Sequence, residues 1–160
     1  PDCGACPLSG VCLAFKTGEV ARYPVKAGKQ RSRDRYFNYL HIHCDGRTLL
    51  SQRKGEDIWK GLYEFPLIET PQPANDWEAL MKDPAFTALF AGIPFLHLEG
   101  VAVMPRHTLS HQVIHAVFYT VEVSAFTPGM EQFTVVSERE FDRYPVSRLT
   151  ERYLEKREEA

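Results

Sequence analysis

Little in this chain suits a secreted, disulfide-stapled protein or one embedded in a membrane. Four cysteines stand among 160 residues, at positions 3, 6, 12 and 44. Three crowd into the N-terminal segment, whereas a disulfide framework spreads its cysteines to close loops along the chain. No apolar run approaches the ~20 residues that a membrane-spanning helix needs. No charged-then-apolar leader precedes a small-residue cleavage site, so no secretory signal is expected in these residues. Net charge of one sign is also scarce, at −2, which argues against an independent, strongly basic nucleic-acid binder. The expectation is a monomer in a reducing compartment with no membrane partner: cytoplasmic and nucleoid-associated in a bacterium, nuclear or mitochondrial in a eukaryote.

What is present is an ordinary globular balance, 44% hydrophobic and 25% charged, at a length that suits one domain with a sizeable core. The charge is unevenly placed. Residues 1–35 hold seven basic side chains (Lys16, Arg22, Lys26, Lys29, Arg31, Arg33, Arg35) against Asp2, Glu19 and Asp34, while residues 36–160 hold twelve basic and eighteen acidic ones. Residues 1–15 form a cysteine segment, residues 16–35 read as a basic linker poor in large apolar side chains, and residues 36–160 form an acidic globule. The linker could track a phosphate backbone or dock a protein partner.

Within the globule, Tyr36–His43 is aromatic and β-branched and predicts a strand. Asp45-Gly46 predicts a hairpin turn, and Thr48–Gln52 the returning strand. Trp59–Glu69 reads as a loop and then a strand, with Pro66 marking an edge or a start. A helix is predicted from Asn75 to Met81, capped by Asn75 or Asp76. A second starts at Asp83-Pro84 and stops at Gly92. Leu98–Met104 and Phe133–Val136 predict strands, and Thr108–Ser124 a single long one. Ser147–Glu158 predicts a final helix with Val146, Leu149, Tyr153 and Leu154 on one stripe. These elements make an α+β fold, a mixed or antiparallel β-sheet flanked by helices.

Cys3, Cys6 and Cys12 are spaced C-x2-C-x5-C, close enough for their thiolates to share one metal centre. Three is one short of the usual four. Cys44 is one conceivable fourth ligand, though a half-buried strand residue is its ordinary role. A ligand preceding Pro1, at which the chain opens without a methionine, fits better. His41 and His43 share a strand face about 6.6 Å apart, and with no third ligand in view they read as a solvent-facing pair. His111 and His115 are placed on one strand, about 13 Å apart, too far to share a metal.

The cysteine spacing with Cys6-Pro7-Leu8, LYEFP at 62–66, RHTLSH at 106–111 and YPVSRLTERYL at 144–154 resemble, in order, the MutY-type adenine DNA glycosylases. That family has a C-x6-C-x2-C-x5-C motif, LWEFP, an HTFSH loop and a closing helix. The resemblance runs from end to end and implies a Nudix-like C-terminal domain. In the family, adenine opposite 8-oxoguanine is removed by a catalytic domain that the matching segments do not include, so no catalytic residue is expected among these 160. The resemblance makes Cys3, Cys6 and Cys12 three of four ligands of a [4Fe–4S] cluster in a longer protein, with no cluster expected in this chain alone. Two departures matter: Leu109 replaces the loop phenylalanine, weakening any role as an aromatic wedge, and Tyr63 replaces the tryptophan of LWEFP.

The implied partner is double-stranded DNA containing 8-oxoguanine opposite adenine, and the implied task is to read the lesion and clamp the duplex. Guanine presents an acceptor at N7. In 8-oxoguanine N7 carries hydrogen and O8 is an added acceptor, so a hydroxyl can accept from one and donate to the other. Ser110 is the candidate reader. His111 can donate to O8 or to a phosphate, and Thr108, Leu109, His107 and Arg106 complete the candidate loop. Trp59, Tyr63 and Phe65 could stack a base, although core packing is the commoner fate of such side chains.

The alternative classes are a Nudix-type nucleotide pyrophosphohydrolase and a protein-interaction domain. A Nudix box uses glutamates to hold Mg²⁺ against a diphosphate. Aligned on Glu64-Phe65-Pro66, its glycine falls at Ile68, its first glutamate at Ala74, its Arg-Glu pair at Lys82-Asp83 and its final glutamates at Phe86-Thr87. No carboxylate pair remains, and Pro84 interrupts the helix that should carry it.

Overall fold

In a computed structural model, residues 1–25, 32–74 and 76–159 are described. The chain divides into two units, Pro1–Arg31 and Ser32–Ala160. The first is a run of turns with one short helix, α1 (Leu13–Lys16), capped at its N-terminus by the Cys12 position. None of its described residues is buried.

The second unit is built on a mixed sheet. Its strands are β1 (Arg33–Cys44), β2 (Arg47–Gln52), β3 (Tyr63–Glu64), β4 (Leu67–Thr70), β5 (Leu96–Val103), β6 (His107–Thr108), β7 (Gln112–Val123) and β8 (Thr134–Ser137). The order across the sheet is β3-β2-β1-β7-β5, with β4 on β1, β6 on β7 and β8 on β2. The two long central strands, β1 and β7, run parallel in register from Arg33 opposite Gln112 to His43 opposite Glu122. The other pairings are antiparallel. Helices α2 (Trp77–Met81), α3 (Pro84–Leu89) and α4 (Arg148–Glu158) complete the α+β fold.

Side-chain alternation along β1 and β7 divides the core between the two faces of the sheet. Leu40, Ile42, Tyr119, Val121 and Val123 pack with Leu80, Phe86 and Leu89 of α2 and α3. Phe37, Tyr39, Ile114, Ala116 and Phe118 pack with Leu149 and Tyr153 of α4. On this second face Phe118 lies stacked between Tyr39 (4.7 Å between ring centroids) and Tyr153 (4.1 Å). The Tyr153 hydroxyl bonds His41 Nδ1 and Thr120 Oγ1, each at 2.9 Å.

Local chemistry explains the boundaries. Asp45 and Gly46 both have positive φ, 49° and 69°, as the tight turn between β1 and β2 requires. Asp76 caps α2 by accepting from Ala79 N–H, and Asp83 caps α3 by accepting from Ala85 N–H, with Pro84 as its first residue. Ser147 caps α4 by accepting from Thr150 N–H. Asn75, the other expected cap of α2, lies outside the described residues.

Several expectations are corrected. β1 starts at Arg33 rather than Tyr36, so the last three residues read as linker belong to the sheet, because Arg33–Arg35 find ladder partners in Gln112–Ile114 of β7. The predicted strand 108–124 is two strands. β6 ends at Thr108 and β7 starts at Gln112, and Leu109 N–H bonds Gln112 C=O across a tight turn at 2.8 Å. Ser110 and His111 are therefore at a hairpin tip. His41 is not solvent-facing: it is 2% exposed, stacked on Phe65 at 4.3 Å between ring centroids, and burial holds its pKa below the ordinary value against the opposing pull of Glu138.

Tyr153→Phe removes the hydroxyl shared by His41 and Thr120 but keeps the ring stack. We expect a loss of about 1–3 kcal/mol from two buried polar groups left short of a partner, against about 3–5 kcal/mol for Tyr153→Ala. Urea unfolding of the two variants beside the wild type measures both.

Candidate functional site

Gln112 and Arg33 begin the two central strands side by side, and the hairpin tip is tied there by Arg33 N–H donating to His111 C=O at 3.0 Å. Beside the tip runs the loop from Arg53 to Leu62. Its ends are closed by Arg53 N–H to Leu62 C=O (2.9 Å) and Gly61 N–H to Arg53 C=O (2.8 Å). Trp59 sits on this loop with φ of 59°, a left-handed backbone that is uncommon for a bulky side chain and marks a position held by its surroundings.

Two arginines hold the loop. Arg35, on β1, is 8% exposed. Its Nε and Nη2 donate to the two oxygens of Glu69 at 2.7 and 2.6 Å, and its Nη1 donates to Asp57 Oδ1 and Gln112 Oε1, each at 2.9 Å. Arg53 donates from Nη2 to Asp57 Oδ2, from Nε to Ile58 C=O and from Nη1 to Glu64. Asp57 also accepts from Ile58 N–H at 2.7 Å. A two-pronged guanidinium–carboxylate pair fixes orientation as well as charge. The same groups titrate accordingly. The Arg35 guanidinium holds Glu69 below the usual carboxylate range against a smaller opposing effect of burial. For Asp57 burial pushes upward, and the Ile58 N–H together with Arg35 outweighs it.

The two loops enclose a cleft of about 310 Å³ lined by Ile58, Trp59, Leu109, Ser110, His111 and Gln112. Ser110 and His111 are exposed and Leu109 half-buried. His107 contacts the Trp59 ring edge-on, at 5.7 Å between centroids. Burial lowers the His107 pKa, and the nearby positive charge of Arg152 on α4 adds to that. Arg106 and Thr108 are exposed on the hairpin and do not line the cleft. Among the described residues Arg33, Arg106 and Arg152 have no ion-pair partner. This end of the sheet thus carries a neutral cleft with uncommitted cations around it.

Of the expected candidates, the structure brings Leu109, Ser110 and His111 together and sets His107 behind Trp59. Phe65 is fully buried, and Tyr63 packs edge-on against Tyr144, so of the three candidate stacking aromatics only Trp59 faces the cleft. Among the linker cations, Arg35 is consumed by its carboxylates and Arg22 is paired with Glu19. Lys26, Lys29 and Arg31 lie outside the described residues. Gln112, Ile58 and Arg152 were not singled out in the sequence, and nothing in their local pattern marks them. His115, separated from His111 by the start of β7, bonds Asp34 at 2.7 Å and stacks on Tyr36.

Cys3, Cys6 and Cys12 are free thiols, each half-buried. They do not converge: among the described residues no group of three or more His, Cys, Asp or Glu side chains could hold a metal ion. As they stand, the three thiols do not fit a [4Fe–4S] cluster. At the aligned positions of a Nudix box, Ile68 and Phe86 are buried in the core, and Asp83 spends its carboxylate on the α3 cap.

Residues 38–156 match the family model described as NUDIX domain, and the chain belongs to that family. Its sequence is 27% identical over 77 residues, 48% of the chain, to the adenine DNA glycosylase of Buchnera aphidicola subsp. Schizaphis graminum, covering 22% of that protein. It is 32% identical over 89 residues, 47% of the chain, to the adenine DNA glycosylase of Arabidopsis thaliana, covering 14% of it. The match thus spans less than a quarter of the length of either relative. In fold it is similar to the C-terminal domain of mouse MUTYH, solved in complex with human PCNA, with a TM-score of 0.52 and 18% identity over 79% of this chain and 89% of that one. Within the NUDIX family, the chain is thus similar in sequence to part of these adenine DNA glycosylases and in fold to that C-terminal domain.

Glu69 and Asp57 titrate lower in the folded chain than in the unfolded one, so their contribution to stability is complete above the ordinary carboxylate range and is lost as pH falls through their folded pKa values. We expect urea midpoints of the wild type to drop between about pH 5 and pH 3. In Arg35→Gln the neutral-pH midpoint should already be lower and the acid slope shallower. An unchanged slope in that variant would show that the clamp does not govern acid stability.

Proposed function

We propose that this chain is the lesion-recognition domain of an adenine DNA glycosylase that initiates base excision repair at adenine opposite 8-oxoguanine. The excision chemistry belongs to a separate catalytic domain. The observation that carries the reading is the Ser110–His111 hairpin tip: an exposed hydroxyl and imidazole over a cleft, at the start of two parallel strands, with unpaired arginines close by. Ser110 Oγ is the group that would accept from N7–H and donate toward O8, a pairing that unmodified guanine cannot return because its N7 is itself an acceptor. His111 would donate to O8 or to a phosphate. Arg33, Arg106 and Arg152 would neutralise backbone charge and set the register without reading sequence. The acidic balance of residues 36–160 makes this a weak DNA binder by itself, suited to act beside a domain that flips out and excises the adenine.

The same reading gives Cys3, Cys6 and Cys12 to a [4Fe–4S] cluster whose remaining ligand and ordering come from other residues of the full-length protein. The chain alone should then retain no stoichiometric iron. The basic linker is the proposed site for a protein partner.

The test compares adenine release from duplexes with adenine opposite 8-oxoguanine and opposite guanine, using the full-length enzyme and Ser110→Ala/His111→Ala. We expect the preference for the lesion duplex to fall about 10-fold or more, as loss of one or two base contacts worth ~1–3 kcal/mol each implies, while the guanine duplex is processed normally. Equal loss on both duplexes, or no change, would place lesion reading elsewhere.

A further inference from the structure

Resting on the reading just given, the geometry points to Trp59 as a specificity-determining residue: its indole is the apolar wall against which the base read by Ser110 packs. Ser110 supplies polarity at the tip but no surface on which to seat a purine. Leu109 stands where the resembled family has an aromatic ring, so the hairpin itself offers only an aliphatic side chain. The aromatic surface in the cleft comes from the opposite side, where Ile58 and Trp59 face Leu109, Ser110, His111 and Gln112 across about 310 Å³.

Trp59 is not an ordinary core residue. It is only half-buried, touching Phe37 edge-on at 6.3 Å and His107 at 5.7 Å between centroids, and it occupies a left-handed backbone position. A sequence selected only for an easy turn would place glycine or asparagine there. The large ring is instead kept and aimed by the grip of Arg35 and Arg53 on Asp57, two residues before it. Gln112 extends the same grip to the hairpin, because Arg35 Nη1 bonds Asp57 and Gln112 together. The clamp therefore fixes the spacing between the wall and the reader. An indole face is tolerant of any base, so selectivity arises from Trp59 holding the purine edge against Ser110.

The experiment uses the 160-residue chain and short duplexes carrying 8-oxoguanine or guanine opposite adenine, at low ionic strength where phosphate contacts are strongest. Binding is read by anisotropy of labelled DNA for wild type, Ser110→Ala, Trp59→Phe and Trp59→Ala, with a thermal melt to confirm folding. In a Trp77→Phe background, the emission of Trp59 reports contact directly. We expect Trp59→Ala to lower the affinity ratio between the two duplexes about 5- to 100-fold, the range that loss of the discriminating Ser110 base contact gives, and Trp59→Phe to recover part of it. Trp59 emission should be quenched more by the lesion duplex than by its control.

If Ser110→Ala collapses the ratio while Trp59→Ala leaves it intact, the wall is wrong and the proposed function stands. If Trp59→Ala weakens both duplexes equally without selective quenching, Trp59 only supports the loop and the inference is overturned. A ratio indifferent to Ser110 would overturn the functional reading itself.

Discussion

The Arg35 guanidinium ties four segments together at one end of the sheet. From β1 it takes both oxygens of Glu69 on β4, one oxygen of Asp57 on the 53–62 loop and the side-chain carbonyl of Gln112 at the start of β7. A charge this buried is tolerable only when every face of it is matched, and removing one carboxylate would leave guanidinium N–H groups without a partner. The arrangement therefore acts as a unit. It lets an irregular loop hold a tryptophan at a left-handed backbone position beside a hairpin tip, and it explains why the cleft can be preorganised although both of its walls are loops.

The rest of the fold gives this clamp something rigid to act on. The parallel pair β1 and β7 is sandwiched between two apolar layers, and the Tyr39–Phe118–Tyr153 stack fixes α4 across one of them. That helix presents Arg152 toward His107. A NUDIX fold ordinarily invites a metal-dependent reading, but of the positions that a Nudix box would fill with carboxylates, Ala74, Phe86 and Thr87 carry none and Asp83 spends its own on a helix cap. The candidate site lies instead at the opening of the central strands, where hydroxyl, imidazole, indole and exposed guanidinium groups gather.

Much of this was legible in the sequence, for physical reasons that differ from element to element. Asp45-Gly46, Asp83-Pro84 and Ser147 announce turns and caps through backbone chemistry that tertiary context rarely overrides. The α+β class followed from them and from the β-branched runs. The break between Thr108 and Gln112 was hidden because Leu109, Ser110 and His111 contain neither glycine nor proline, and the turn is closed by a single backbone hydrogen bond. Arg35 looked like one more linker cation because its carboxylates lie 22 and 34 residues away in sequence. His41 looked exposed because the helix that covers it comes more than a hundred residues later. The candidate residues of the tip, though not its turn, were named through their resemblance to a known loop, whereas the second wall of the cleft depends on long-range pairing that no local pattern records.

The most direct measurement of the central claim is a map of where DNA touches this domain. Amide and side-chain resonances of the isotope-labelled chain would be followed as a short duplex containing 8-oxoguanine opposite adenine is added. The account requires the largest perturbations, selective for the lesion over guanine, at residues 106–112 and at the Trp59 indole N–H, with smaller unselective ones near Arg33 and Arg152. Perturbations centred on α2 and α3, or of equal size for both duplexes throughout, would contradict it.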